Sequence, residues 1–203
     1  KAQPNMVDKT PGELTPYLAH ANGWWRDKAQ QLIVLSRDQS TAPELRKVAL
    51  SSKNQLARIH ALWCLEGLGA LQTDLLETLF QDPNPRVRIQ AIRASETLYK
   101  TGNKDLSKSY LKLLEDDNVD VALQAMLTIK FLEVANYQKA LSKILKSNHA
   151  KGIQTVGTQI LASEKKENKL NGNKALMSEV QRESLEKGKV IFNELCFQFP
   201  TPS

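Results

Sequence analysis

Aromatic residues are scarce, at 6% of the 203-residue chain, and glycine (9) and proline (8) are few. A β-sandwich needs a turn every 8 to 12 residues or so and draws on glycine and proline for them, so this composition points away from one. Cysteine occurs twice, as Cys64 and Cys196 in distant and unlike surroundings, which excludes a disulfide framework and leaves the redox compartment open. No apolar run approaches the roughly 18 to 20 residues of a membrane span. The opening KAQPNMVDKTPGELTP places no hydrophobic stretch behind its basic start, so no secretory signal peptide is expected there. The segment is expected to act where it is made or to belong to a longer protein whose address lies elsewhere.

What is present favours helices. Hydrophobic residues make up 41% of the chain, enough to bury a core and exclude disorder as the default, and the apolar set is rich in Leu, Ala and Ile. Lys and Arg number 28 against 22 Asp and Glu, a net charge of +6. That modest excess leaves an anionic partner open without demanding one.

The chain repeats itself. LLETLFQDPNPRVRIQAIRA (75–94) aligns without a gap on SYLKLLEDDNVDVALQAMLT (109–128) at an offset of 34, matching Val87 to Val121, Ala91 to Ala125 and Asp82 to Asp116. RIHALW (58–63) matches RIQAIR (88–93) at an offset of 30. RDKAQQL (26–32) extends the series backwards through Ala29 and Ala61, and GIQTVGTQIL (152–161) is a degenerate fifth member. A period in this range marks a stacked architecture.

Each unit reads as two helices. Val121, Ala125, Ile129 and Leu132 form one stripe, and after a break at Asn136 a second runs through Tyr137, Ala140, Leu141, Ile144 and Leu145. The third unit repeats this with Val87, Ala91, Ala94 and Leu98, then Leu106, Tyr110, Leu113 and Leu114. Asp82-Pro83-Asn84-Pro85 supplies capping side chains and a proline tolerated in a first turn, and Gly102-Asn103 supplies the turn between helices. The recurrent Ala suits close stacking, where a bulkier side chain would push the layers apart. The pattern resembles short bacterial HEAT repeats, over about residues 22–162; the signature Trp, Gly-Tyr and late Pro positions of TPR units are not found. The resemblance implies an all-α fold, a HEAT-like α-solenoid of four to five helical hairpins.

Outside the repeats, residues 1–21 read as an extended lead-in with a short helix near Thr15–Ala21, and 163–174 (SEKKENKLNGNK) as a polar loop. Residues 175–203 read as a terminal helix and tail, with apolar spacing through Leu176, Val180, Leu185, Ile191, Phe192 and Leu195.

The catalytic inventory is thin. His20, His60 and His149 form no zinc-binding pair on one helical face, and no nucleophile triad, phosphate loop or carboxylate pair is recognisable. No catalytic, metal or cofactor-binding residue is therefore expected, and an enzyme reading ranks low. Trp24, Trp25 and Arg26 form an unusual cluster: adjacent indoles point about 100° apart on a helix, so the pair suits an end cap or an interdomain contact. Arg26, Arg58, Arg86, Arg88 and Arg93 fall on or near the first helices of successive units. A basic face of this kind resembles that of the alkylpurine DNA glycosylases, which suggests Arg58, Arg88 and Arg93 as anion contacts in a nucleic-acid-binding alternative. Asp27, Glu66, Asp82, Glu96, Asp116, Asp117 and Asp120 interrupt the track, favouring solvated faces and inter-repeat ion pairs.

In KGKVIFNELCFQFP (187–200) the order Gly188, Phe192, Cys196 resembles the helix that opens a class I cytochrome c and leads into C-x-x-C-H. Phe199 and Pro200 stand where the second Cys and the His belong, so Cys196 is a lone remnant of a haem-attachment motif. Together with NGWWRDKAQQLIVL (22–35) and ARIHALWCLEGLGAL (57–71), this order resembles bacterial membrane-bound dehydrogenases that join a sugar-dehydrogenase-like propeller, HEAT repeats and a cytochrome c domain. The resemblance implies a non-catalytic spacer that positions a dehydrogenase and a cytochrome c part of a larger oxidoreductase. It further implies haem c only in the full-length parent, neighbouring domains or another protein as partner, and an extracytoplasmic or periplasmic location.

Overall fold

A computed structural model of the chain describes residues 5, 6 and 8–175, and all of its regular structure is helical. Among the described residues there are ten α-helices and no strand. They are α1 (Pro11–Leu14), α2 (Gly23–Ser36), α3 (Ala42–Ser51), α4 (Gln55–Gly67), α5 (Thr73–Leu79), α6 (Pro85–Lys100), α7 (Ser107–Leu113), α8 (Val119–Phe131), α9 (Tyr137–Ser147) and α10 (Lys151–Ala175). Short 3₁₀ turns at Thr15–Ala19, Gln39–Thr41 and Lys104–Leu106 precede α2, α3 and α7. The chain divides into two compact units, Lys1–Thr158 and Gln159–Ser203. No helix among the described residues is long and apolar enough to cross a membrane.

Asparagine starts the longer helices of the first unit. Asn22, Asn54, Asn84 and Asn118 are the N-caps of α2, α4, α6 and α8, and each side-chain oxygen accepts the N–H of the residue two positions on. Such a cap satisfies an amide that the helix leaves without a partner. The caps recur at spacings of 32, 30 and 34 residues, and Asn148 accepts from the Ala150 amide 30 residues further on, before α10. Pro85 in the first turn of α6 donates no N–H and needs none there.

Seven positions after the four N-caps come Ala29, Ala61, Ala91 and Ala125, all fully buried. The helices that carry them pack in series, α2 on α4, α4 on α6 and α6 on α8, and the shorter helices pack on these. Where α2 meets α4 the approach is closer still: a Cβ on Gly67 would lie 2.8 Å from the Val34 methyls. The short helices and the 3₁₀ turn before α7 supply larger side chains, with Leu45, Leu75, Leu76, Leu79, Leu106 and Tyr110 all buried. Tyr110 is a phenol in this core, and its hydroxyl meets the Ser95 hydroxyl at 2.8 Å, so its polar tip is satisfied. The stripes read from the third and fourth units are the buried ones, apart from the half-buried Leu98, Leu132, Ala140 and Leu145. Gly102, at φ +115, makes the turn after α6, and Asn103 caps the 3₁₀ turn that follows.

Two segments differ from expectation. The lead-in is helical from Pro11: Thr10 and Glu13 form a capping box that starts α1, and Leu14 and Leu18 are buried. Residues 163–174 are helical rather than a loop, continuing α10. Glu and Lys are strong helix formers, and polarity without proline leaves nothing in Ser163-Glu164-Lys165-Lys166-Glu167 to stop a helix already running. The terminal helix expected over 175–203 lies, beyond Ala175, outside the described residues.

The alanine row generates a prediction. Ala91→Leu and Ala125→Leu should each overpack a fully buried position and lower stability by about 1 to 3 kcal/mol. Calorimetric melting checks this; an unchanged melting temperature in both variants would mean the row has room to spare.

Candidate functional site

Four positions after an Asn cap stands an arginine: Arg26, Arg58 and Arg88. Two positions before the caps of α6 and α8 stands an aspartate, Asp82 and Asp116. The fold brings these together across neighbouring long helices. Arg58 of α4 donates both terminal nitrogens to the Asp82 carboxylate and its Nε to the Ala49 carbonyl at 2.8 Å. Arg88 of α6 pairs with Asp116 at 2.7 Å and donates to the Asp82 carbonyl, also at 2.7 Å. Each carboxylate also accepts the amide of the next cap, Asn84 or Asn118, at 2.9 Å. The acid therefore holds the turn that begins its own helix and the arginine of the helix before. Asp82 is only 6% exposed, so these donors replace the water it gives up on folding.

The series ends at both sides. Ser52 stands two positions before Asn54, and Arg26 donates instead to the carbonyls of His20 (2.6 Å) and Ala21 (3.0 Å). Ala122 replaces the arginine in α8.

A second set of polar links joins the same helices. His60 Nδ1 meets Gln30 Oε1 at 2.6 Å, and the Trp63 indole donates to Gln90 at 2.9 Å. Thr97 donates to Glu66 at 2.7 Å, and Thr128 to Glu96 at 2.5 Å. The shorter helices are linked likewise, by Arg46 to Asp74 at 2.5 Å and Ser109 to Glu77 at 2.6 Å. The hydrogen bond from Arg46 holds the Asp74 carboxyl below its usual range. The sequence carries the signal for these links, residues of matching polarity about 24 to 32 positions apart, yet no motif within a single helix contains both partners.

The tryptophan cluster is open to solvent. Trp24 is 58% exposed and Trp25 half-buried; their rings meet edge to face at 4.6 Å, and Lys28 lies over Trp24. Trp25 packs against His20, and Arg26 is held by the backbone before α2. Neither indole is a core residue, which leaves Trp24 as the part of the cluster able to meet another surface.

Of the three arginines suggested as anion contacts, Arg58 and Arg88 have their guanidiniums engaged by aspartate, and Arg93 is exposed on α6. Burial raises the Cys64 thiol to about 12, so it stays protonated and is a packing residue. No cluster of three or more His, Cys, Asp or Glu suited to a metal occurs among the described residues. Cys196 lies outside the described residues. Its neighbours Phe199 and Pro200 offer neither a second thiol nor an imidazole, so the donor set does not fit haem c.

Two outcomes follow from this geometry. Arg58→Met leaves the Asp82 carboxylate buried without its partner and should cost about 3 kcal/mol in urea unfolding, whereas adding Asp82→Asn should restore at least about 1 kcal/mol. Strict additivity would show that the pair is not coupled. Burial also lowers the His60 value from 6.5, outweighing the attraction of Asp27. The unfolded imidazole therefore takes up a proton at a higher pH than the folded one, and stability should fall as pH drops from about 7 through 6.5. His60→Gln should flatten that part of the profile; an equal slope in both proteins would place its origin elsewhere.

No protein-family model matches this chain, and none of the curated proteins matches it either.

Proposed function

We propose that residues 22–162 form a HEAT-like α-solenoid serving as a non-catalytic scaffold for protein interaction. The observation that carries this reading is the repeated joint: an Asn cap, an Ala seven positions on, and Arg–Asp pairs linking one unit to the next. Joints of this kind make each unit depend on its neighbours, which yields a stiff body of adjustable length. Such a body fixes distances between whatever is attached to it. Asp82 and Asp116 already hold Arg58 and Arg88, which favours this reading over phosphate binding by those arginines.

The attached parts would be a dehydrogenase and a cytochrome c domain of a larger extracytoplasmic redox protein. That assignment rests on the resemblance of residues 22–35, 57–71 and 187–200, and its chemistry would belong to the neighbours. The reading frame on both sides tests it. A propeller before the segment and a complete C-x-x-C-H after it would support the assignment; other neighbours would replace it.

The repeat architecture has its own test. Deleting residues 84–117 removes one unit and joins Pro83 to Asn118, keeping Asp82 for Arg58 and a cap for α8. A solenoid should remain helical and unfold cooperatively with a smaller denaturant dependence, because less surface is exposed on unfolding. Loss of helicity would indicate a single interdependent core instead.

A further inference from the structure

The shorter helices α7 and α9 carry five lysines, Lys108, Lys112, Lys139, Lys143 and Lys146, and no acidic residue. All five are exposed. The acids nearest in sequence are Asp105 before α7, Glu115, Asp116 and Asp117 after it, and the exposed Glu133 before α9; Asp116 is held by Arg88, and Glu115 meets Lys143 at 2.7 Å.

Between the two helices lies a groove of about 470 Å³, lined by Leu111 of α7 and, from the start and outer side of α9, by Asn136, Lys139, Ala140, Ser142, Lys143 and Lys146. Most of its exposed lining is apolar. The inner face of α9 is already occupied, since Tyr137, Leu141 and Ile144 are buried in the core, so the groove is a second, outward feature of the same helix.

We propose that this groove docks an acidic peptide segment of a partner protein, with an apolar side chain on Leu111 and Ala140 and carboxylates at Lys139, Lys143 and Lys146. The proposal names the partner class for the interaction scaffold described above and rests on that reading. Charge complementarity selects the acid: cations on three successive turns of one face attract a segment bearing several carboxylates, where single exposed pairs contribute little. Shape separates a peptide from the other anionic surfaces. A membrane is entered by protruding apolar side chains, whereas Leu111 and Ala140 are half-buried and line a concavity. A nucleic-acid backbone would leave that floor facing phosphates and sugars, and it is contacted best by planar arginine forks or stacked aromatics, neither of which lines the groove.

The test is fluorescence polarisation with a labelled twelve-residue peptide made of three Glu-Asp-Leu-Phe units, titrated with the full chain at about 50 mM and 300 mM salt. Saturable binding is expected, weaker at the higher salt. Binding should drop at least tenfold in K139E/K143E/K146E and at least fivefold when Ser replaces every Leu and Phe of the peptide. Circular dichroism of each variant establishes that it is folded. Should the triple variant not fold, K139Q/K146Q at two exposed positions should still weaken binding about threefold. No saturable binding, equal binding by a folded lysine variant, or equal binding of the serine peptide would overturn the proposal. So would tighter, lysine-dependent binding of phosphatidylserine vesicles or duplex DNA. None of these results changes the outcome of deleting residues 84–117, which judges the repeat architecture separately.

Discussion

The register of one long helix against the next depends on a nearly buried carboxylate. Asp82 lies at the entrance to α6, where it accepts the Asn84 amide and the Arg58 guanidinium at once. Asp116 does the same for α8 with Asn118 and Arg88. A carboxylate in so little water is tolerable only with several donors in place, so the turn and the neighbouring arginine are fixed together. Sliding one helix by a residue would break the ion pair and rotate the alanine row out of the core.

Packing and polarity thus divide the labour. The alanines seven positions after each Asn cap are fully buried and carry little side-chain bulk, which leaves geometry to be set at the helix ends. Links such as Trp63 to Gln90 and Thr128 to Glu96 then tie the helices along their length. The same division shapes the surface. Arginines four positions after a cap are engaged within the fold, while the lysines of α9 lie exposed around a groove with a mostly apolar lining, Lys143 meeting the likewise exposed Glu115. Among the described residues, Arg26, Arg46, Arg58 and Arg88 all use their guanidiniums within the fold, while Arg93 on α6 and the lysines of α7 and α9 are exposed.

The repeat was legible in the sequence because its inner stripe is made of residues whose burial is nearly inevitable. Val87, Ala91, Val121 and Ala125 recur at helical spacing, and all are buried. The asparagine caps were visible only in part: Asn84 stood out beside prolines, while Asn22, Asn54 and Asn118 are polar residues whose role appears once a helix begins after them. The polar run at 163–174 carries no apolar stripe from which a helix could be read, yet its Glu and Lys are strong helix formers and the backbone there is helical.

By itself the sequence determined that the chain is helical, that its units recur every 30 to 34 residues and which faces are buried, since these follow from local propensity and apolar spacing. Which charges are available to a partner was decided only by the tertiary structure. Arg58, Arg88 and Lys139 read alike in sequence as cations on amphipathic helices. Two of them meet an aspartate 24 to 28 residues away and the third meets solvent, a difference set by how the helices pack. Long-range pairing of this kind has no local signature, because the energy that selects it arises from burying both partners at once.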